Sequence, residues 1–313
     1  LLKIDNKFGF VYLTEKRSMQ KTLIHFADLI KLQHTLFALP FALISAILAW
    51  KMTDSFHWIH LAGIVICMVT ARSAAMAFNR LIDSTYDAEN PRTALRHIPA
   101  GLIKKNHVLA FVIINSLAFL ISCSLFLIVD NPWPLVFGLP VLLFLLAYSY
   151  AKRFTSLCHF WLGLALALSP IGAWVAIRGM AWSESPIPLM LTGAVFFWVS
   201  GFDMLYACQD EAFDKAKGLF SVPARIGLRN TLRLAFLCHI AMIVFLLGFY
   251  WLASPTLGNI YLGGVMIVTC LVVYQHSLVN ENDLSKVNQA FFNVNAIISV
   301  GLLLVVILQI CLD

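Results

Sequence analysis

Apolar runs of about twenty residues return along this chain again and again, separated by short polar breaks. In helical form such a run crosses the ~30 Å hydrocarbon core of a bilayer. Backbone N–H and C=O groups cannot stay unpaired in lipid, which leaves only helices or the strands of a closed barrel as spanning elements. These runs are too long and too continuously apolar for barrel strands. Nine are read, over 32–50, 58–82, 107–129, 133–151, 157–178, 187–210, 232–253, 258–278 and 289–312. Turn chemistry marks several breaks: Asn131-Pro132, Ser185-Pro186 and Ser254-Pro255. Only 12% of the residues are charged, against roughly 25% in a soluble domain. The expectation is an all-α, multi-pass membrane protein, a bundle of about nine helices around a central cavity. Residues 32–313 form its membrane domain, and 1–31 a cytoplasmic or interfacial segment in which 1–21 is a tail or an amphipathic helix. No cleavable signal peptide is read ahead of the first run.

Loop charge orients the bundle. Of 22 Lys and Arg, 19 fall before the first run or in alternate loops: around 80–105, at Lys152 and Arg153, over 215–233 and at Lys286. The opposite loops hold only Lys51 and Arg178, and Arg72 lies inside a run. The basic side is read as cytoplasmic, with the amino terminus inside. The net charge of +6 is then topological, and nucleic acid is not a partner. The seven Cys form no CxxC pair, and most sit in apolar runs as small buried side chains.

Two polar loops, 79–106 and 210–231, differ from the rest. Each follows the same end of a run, the second and the sixth, so both face one side. The first opens with Asn79, Asp83 and Asp87; the second with Asp203, Tyr206, Asp210 and Asp214. Steps of four and seven keep the acids of each set on one helix face, and the likeness hints at an internal repeat. Such a set is either a polar helix end beside the membrane or a site for cations. Clustered carboxylates raise one another's pKa unless cations intervene, and an all-oxygen set suits Mg²⁺ held together with a substrate phosphate. Arg80, Arg92, Arg96, Lys152, Arg153, Lys217 and Arg225 lie on the same side. They suit a multiply charged phosphate, although sidedness alone would also place them there. Arg72 lies two turns deeper than Asn79 in a run of small residues. A charge within a span faces a polar cavity, where Arg72 either pairs with an acid such as Asp203 or receives a substrate carboxylate.

Three ordered elements carry a family resemblance. The string from Asn79 to Asp87 with NPRTALRHIPAG (90–101) resembles the first aspartate motif of the UbiA superfamily of intramembrane aromatic prenyltransferases. Asp203, Tyr206, Asp210 and Asp214 followed by KAKGLFSVPARIG (215–227) are similar to its second motif, and Tyr148 with Lys152 to its Tyr-x-x-x-Lys element. Within that family the chain is most similar to the 4-hydroxybenzoate polyprenyltransferase branch and related menaquinone-route enzymes. It departs at Arg80, where many members have Asp.

The resemblance implies transfer of a polyprenyl group from an isoprenoid diphosphate to a small carboxylated phenol, 4-hydroxybenzoate-like or dihydroxynaphthoate, in quinone biosynthesis. It implies Mg²⁺ on Asn79, Asp83, Asp87, Asp210 and Asp214, with Lys152, Arg96, Lys217 and Tyr148 at the diphosphate. Asp203, Arg72 and Tyr206 are then the catalytic candidates: Asp203 for the acceptor hydroxyl, Arg72 for its carboxylate and Tyr206 for an allylic cation. The implied location is a bacterial cytoplasmic membrane with the site facing inward, in contact with lipid; no protein partner is inferred. The rivals are another branch of the superfamily (haem, chlorophyll or homogentisate), a secondary transporter and a noncatalytic scaffold. A transporter would place its ionisable groups near the midplane, whereas these acids gather at one surface.

Overall fold

The computed structural model describes residues 25–31, 37–180, 182–184 and 186–312. The segment 1–21 and the start of the first apolar run lie outside the described residues. The architecture is helical: α1 Leu39–Thr53, α2 Trp58–Ile82, α3 Ser84–Glu89, α4 Lys105–Ser124, α5 Trp133–Ala151, α6 Cys158–Arg178, α7 Pro186–Ala207, α8 Glu211–Lys217, α9 Val222–Leu252, α10 Asn259–Ser277 and α11 Asn295–Leu312. Among the described residues, eight stretches are long and apolar enough to cross a membrane. They centre on α2, α4, α5, α6, α7, α9, α10 and α11. The first run appears as α1, 15 residues long and short of spanning length within the described chain.

The two acid-bearing runs end alike. α2 stops at Ile82, Asp83 occupies the junction, and the short α3 follows. α7 stops at Ala207, a 3₁₀ turn runs over Cys208–Asp210, and the short α8 follows. Each acid ladder thus crosses a helix break, where one continuous helix was expected. The breaks fall at matching places, which gives the hinted repeat a structural form. α9 begins ten residues before its expected start, and Gly227 interrupts it with φ 77°. That backbone conformation favours glycine, which has no Cβ to clash.

Packing is uneven around the bundle. One large core, with Phe41, Trp174, Trp198, Phe202, Met242, Tyr261 and Ile298 among its members, joins α1, α6, α7, α9, α10 and α11. Smaller clusters join α2, α4 and α5 to their neighbours. Several polar groups inside the large core are hydrogen-bonded, which offsets the cost of burying them, while Trp174 Nε1 and Gln275 Oε1 have no hydrogen-bond partner. Trp198 Nε1 donates to Asn295 Oδ1 at 2.9 Å, and Gln275 Nε2 donates to the Ala290 carbonyl at 2.8 Å. Ser45 Oγ donates to the Pro170 carbonyl at 2.6 Å, tying α1 to α6.

Small residues let α7 lie close to both neighbours. A Cβ at Gly163 of α6 would sit 2.7 Å from the Phe196 carbonyl oxygen, and one at Gly201 would sit 2.6 Å from His239 Nε2. Gly163→Val is expected to lower the thermal midpoint of the detergent-solubilised protein by several degrees, about 1–3 kcal/mol of overpacking. Tryptophan fluorescence against temperature reads this; an unchanged midpoint would mean that α6 and α7 can part without cost.

Candidate active site

The acid rows that follow from the ends of α2 and α7 line one cavity at the same mouth of the bundle. Asn90, just after α3, donates from Nδ2 to Asp210 Oδ1 at 3.0 Å, bridging the rows over 120 residues of sequence. Arg92 clamps the same carboxylate with Nε to Oδ1 at 2.9 Å and a second nitrogen to Oδ2 at 2.5 Å, a bidentate grip. Its remaining nitrogen donates to the Tyr206 hydroxyl at 2.9 Å. The loop that carries Arg92 is shaped by short-range bonds: Asn90 Oδ1 accepts from the Arg92 amide, and Thr93 Oγ1 donates to the Asp87 carbonyl. Buried Ile98 and Ile103 anchor it beside Ala77 of α2.

The other acids have basic partners too. Arg96 pairs with Asp87 at 2.6 Å, Lys152 with Asp214 at 2.8 Å and Arg153 with Asp83 at 3.4 Å. Asn79 Nδ2 donates to Asp83 Oδ2 at 2.8 Å. Asp87, Asp210 and Asp214 are all buried, and an ionised carboxylate is costly to bury unless it is paired. Lys152 is held by its own backbone: after Gly218 ends α8 with φ 65°, the Phe220 amide donates to the Lys152 carbonyl at 2.7 Å.

A cavity of about 1120 Å³ opens below this layer. Asn79, Asp83, Asp87, Arg96, Tyr148, Lys152, Asp203, Tyr206, Asp210, Asp214 and Arg72 all line it. Apolar walls carry it down to Pro134, Phe137 and Met180, near the opposite ends of α5 and α6. On α6 the small residues Ala165, Ser169, Gly172 and Ala176 share the wall with Leu162, Leu166 and Ile171, and a Cβ on Gly172 would meet nothing within 4 Å. A long, thin, apolar chain fits such a space, with its polar head left among the acids.

Of the predicted site residues, only Lys217 stands apart. It is at the exposed end of α8, pairs with Glu89 outside the cavity, and does not line it. Arg72 lines the cavity with a buried Nε that has no hydrogen-bond partner. The expected alternative, a pair with Asp203, is not formed: Asp203 bonds instead to His159 Nδ1 at 2.6 Å. His159 was not legible as a site residue, since a lone His in an apolar run carries no spacing signal. Nor did the sequence single out Asn90 as the bridge between the rows.

The donor set suits a hard divalent cation, all oxygen from carboxylates and an amide. Among the described residues no three acidic, His or Cys side chains converge on one point, because Arg and Lys groups stand between them. Asp87 nonetheless keeps a buried Oδ2 with no hydrogen-bond partner. Residues at both ends of the gap thus fit Mg²⁺ once the basic side chains turn away toward an anion.

A model of the UbiA prenyltransferase family matches residues 38–297. A 4-hydroxybenzoate octaprenyltransferase of Nitrosomonas eutropha is 28% identical over 244 residues, covering 77% of this chain and 82% of that protein. The apo structure of a UbiA homolog from Aeropyrum pernix K1 superposes with a TM-score of 0.78 at 28% identity, over 90% of this chain and 98% of that one. A UbiA homolog from Archaeoglobus fulgidus, solved bound to DMAPP and Mg²⁺, shares the fold with a TM-score of 0.67 at 16% identity, over 92% of this chain and 99% of that one.

Burial, and then the Asp87 carboxylate, push the Asp83 carboxyl above its ordinary pKa, against the pull of Arg153. An acid whose folded pKa is raised holds its proton more tightly in the native state. Ionised Asp83 therefore costs stability at neutral pH, and that cost fades as the pH falls through the raised value. Asp83→Asn in the metal-free protein is expected to raise the thermal midpoint by a degree or two at neutral pH. The gain should shrink as the pH enters the carboxylate range; a gain constant with pH would show that the charge is not its source.

Proposed function

The chain belongs to the UbiA prenyltransferase family, and from that membership we propose that it moves a polyprenyl group from an isoprenoid diphosphate onto a carboxylated phenol. The acceptor is of the 4-hydroxybenzoate or dihydroxynaphthoate type, and the product a quinone precursor. The observation that carries this reading is the meeting of two acid rows across the mouth of one long apolar cavity. The likeness to a 4-hydroxybenzoate octaprenyltransferase supports the acceptor class. The protein is an integral, multi-pass membrane protein. Loop charge supports an acid mouth on the cytoplasmic side, and the likeness to bacterial relatives supports a bacterial cytoplasmic membrane.

In this reading Asn79, Asp83, Asp87, Asp210 and Asp214 hold Mg²⁺, which when bound offsets charge on the departing diphosphate. Lys152, Arg96, Arg92 and Arg153 then leave their acids and donate to the phosphate oxygens, since both sets now have better partners. The prenyl tail lies along the α6 wall of the cavity. Breaking the C1–O bond leaves an allylic cation, which the dry walls shield from water. Tyr206, tilted against Phe291 with ring centroids 4.2 Å apart, and Tyr148 offer π faces to that cation. The ring carbon beside the acceptor hydroxyl attacks C1, and the released diphosphate, a base left beside that carbon, takes the ring proton. Asp203 accepts the hydroxyl's hydrogen bond, orienting and activating it. Arg72, whose guanidinium has a buried nitrogen to spare, binds the acceptor's carboxylate. Family membership disfavours the transporter and scaffold readings, and an acceptor panel separates the other branches.

Membranes carrying the protein, given Mg²⁺, a polyprenyl diphosphate and each acceptor in turn, are expected to yield a prenylated ring by mass spectrometry. EDTA should abolish the product, and Asp83→Ala or Asp210→Ala should lower kcat about a hundredfold or more. Undiminished turnover in either variant would remove the metal clamp. Arg72→Ala is expected to raise the acceptor KM about tenfold while leaving that of the prenyl diphosphate unchanged. A loss of protein yield with normal acceptor KM would make Arg72 a packing residue.

A further inference from the structure

His159 stands behind Asp203, buried near the first turn of α6, and touches two groups that together decide its proton. Nδ1 lies 2.6 Å from Asp203 Oδ2, and Nε2 lies 3.3 Å from the backbone nitrogen of Val222. Val222 opens α9, where the first amides have no acceptor within the helix. Ser221, the N-cap residue, takes the Ala224 amide at 3.3 Å, which leaves the Val222 amide to the imidazole. A backbone N–H can only donate. Nε2 must then be the bare nitrogen of the ring, and the single proton of the neutral ring sits on Nδ1, pointing at Asp203. A doubly protonated ring would set N–H against N–H, at the positive end of a helix. Among the described residues Asp203 makes no hydrogen bond except to His159, and Asp203 lines the cavity.

We propose that His159, held as its Nδ1–H tautomer by the Val222 amide, is the positioning residue that fixes Asp203 for the acceptor. The ring donates to Oδ2, locks the carboxylate rotamer, and leaves Oδ1 for the hydroxyl of the aromatic substrate. His159 neither gains nor loses a proton in the cycle. Through Val222 the same contact links the geometry of Asp203 to the start of α9. The inference rests on the reading above that Asp203 handles the acceptor hydroxyl.

The test compares H159Q, H159L, D203N and the H159L/D203N pair in full-length protein in membranes. A glutamine can accept from the Val222 amide with its oxygen and donate to Asp203 with its nitrogen; leucine can do neither. H159L is expected to lower kcat/KM for the acceptor about tenfold or more. The KM for prenyl diphosphate should stay put, and H159Q should recover activity to within about threefold of wild type. The double variant should be no worse than D203N alone. Nitrogen NMR of ¹⁵N-histidine protein, with the His159 signals assigned by their loss in H159Q, should show a neutral ring protonated at Nδ1. An Nε2–H or doubly protonated ring would overturn the proposal, as would additive losses, a wild-type H159L, or an H159Q as impaired as H159L. If H159L fails to fold, H159Q and the ring spectrum still decide. If D203N keeps wild-type acceptor kinetics, the assignment of Asp203 under the proposed function fails first; a crippled D203N beside a normal H159L rejects only the role of His159.

Discussion

Carboxylates set face to face in a weakly polar bundle repel one another unless cations stand between them. This chain brings four such groups together, Asp83, Asp87, Asp210 and Asp214, and gives each a basic partner of its own. Much else at the mouth follows from that requirement. The loop after α3 folds inward because Asn90 and Arg92 are drawn to Asp210. The turn after α8 closes on the Lys152 backbone and keeps that side chain beside Asp214. Tyr206 is held through its hydroxyl by the guanidinium that neutralises Asp210.

The unequal packing of the bundle serves the same end. α7 carries an acid row and is also the best buried of the spans, with Leu191, Val195, Trp198 and Val199 sealed from both lipid and cavity. One row is thereby mounted on the most deeply buried span. The opposite row ends α2, one side of which, with Cys67, Met68, Arg72 and Met76, lines the cavity. A hollow of this kind forgoes the dispersion contacts that filling it would supply. The dense side of the bundle stabilises what the hollow side gives up.

Much of this was legible in the residues. Length and hydropathy mark the spans because lipid leaves the backbone few options, and the amide of Asn79 and the acids Asp83, Asp87, Asp210 and Asp214 stand out where apolar residues prevail. The deep charge of Arg72 was legible for the same reason. The helix breaks at Asp83 and over Cys208–Asp210 were not, since no Pro or Gly marks them and periodicity runs straight through. Pairings across the fold were equally hidden. Arg92 and Asp210 are 118 positions apart, His159 and Asp203 are 44, and local spacing holds no trace of either contact. Lys217 was misplaced for a related reason: its sequence position sets the side of the membrane, but the direction of α8 decides that it reaches Glu89.

The lining of the cavity holds six Asp and seven Lys or Arg residues, so its formal charge is close to zero. A naked divalent ion entering this space would tip it further positive, and a naked diphosphate would swing it strongly negative. The two arriving as a nearly compensated complex disturb it least. Under the proposed function, a resting chamber that is almost electroneutral would act as a filter on charge, favouring a metal and its anion as a unit over either one alone.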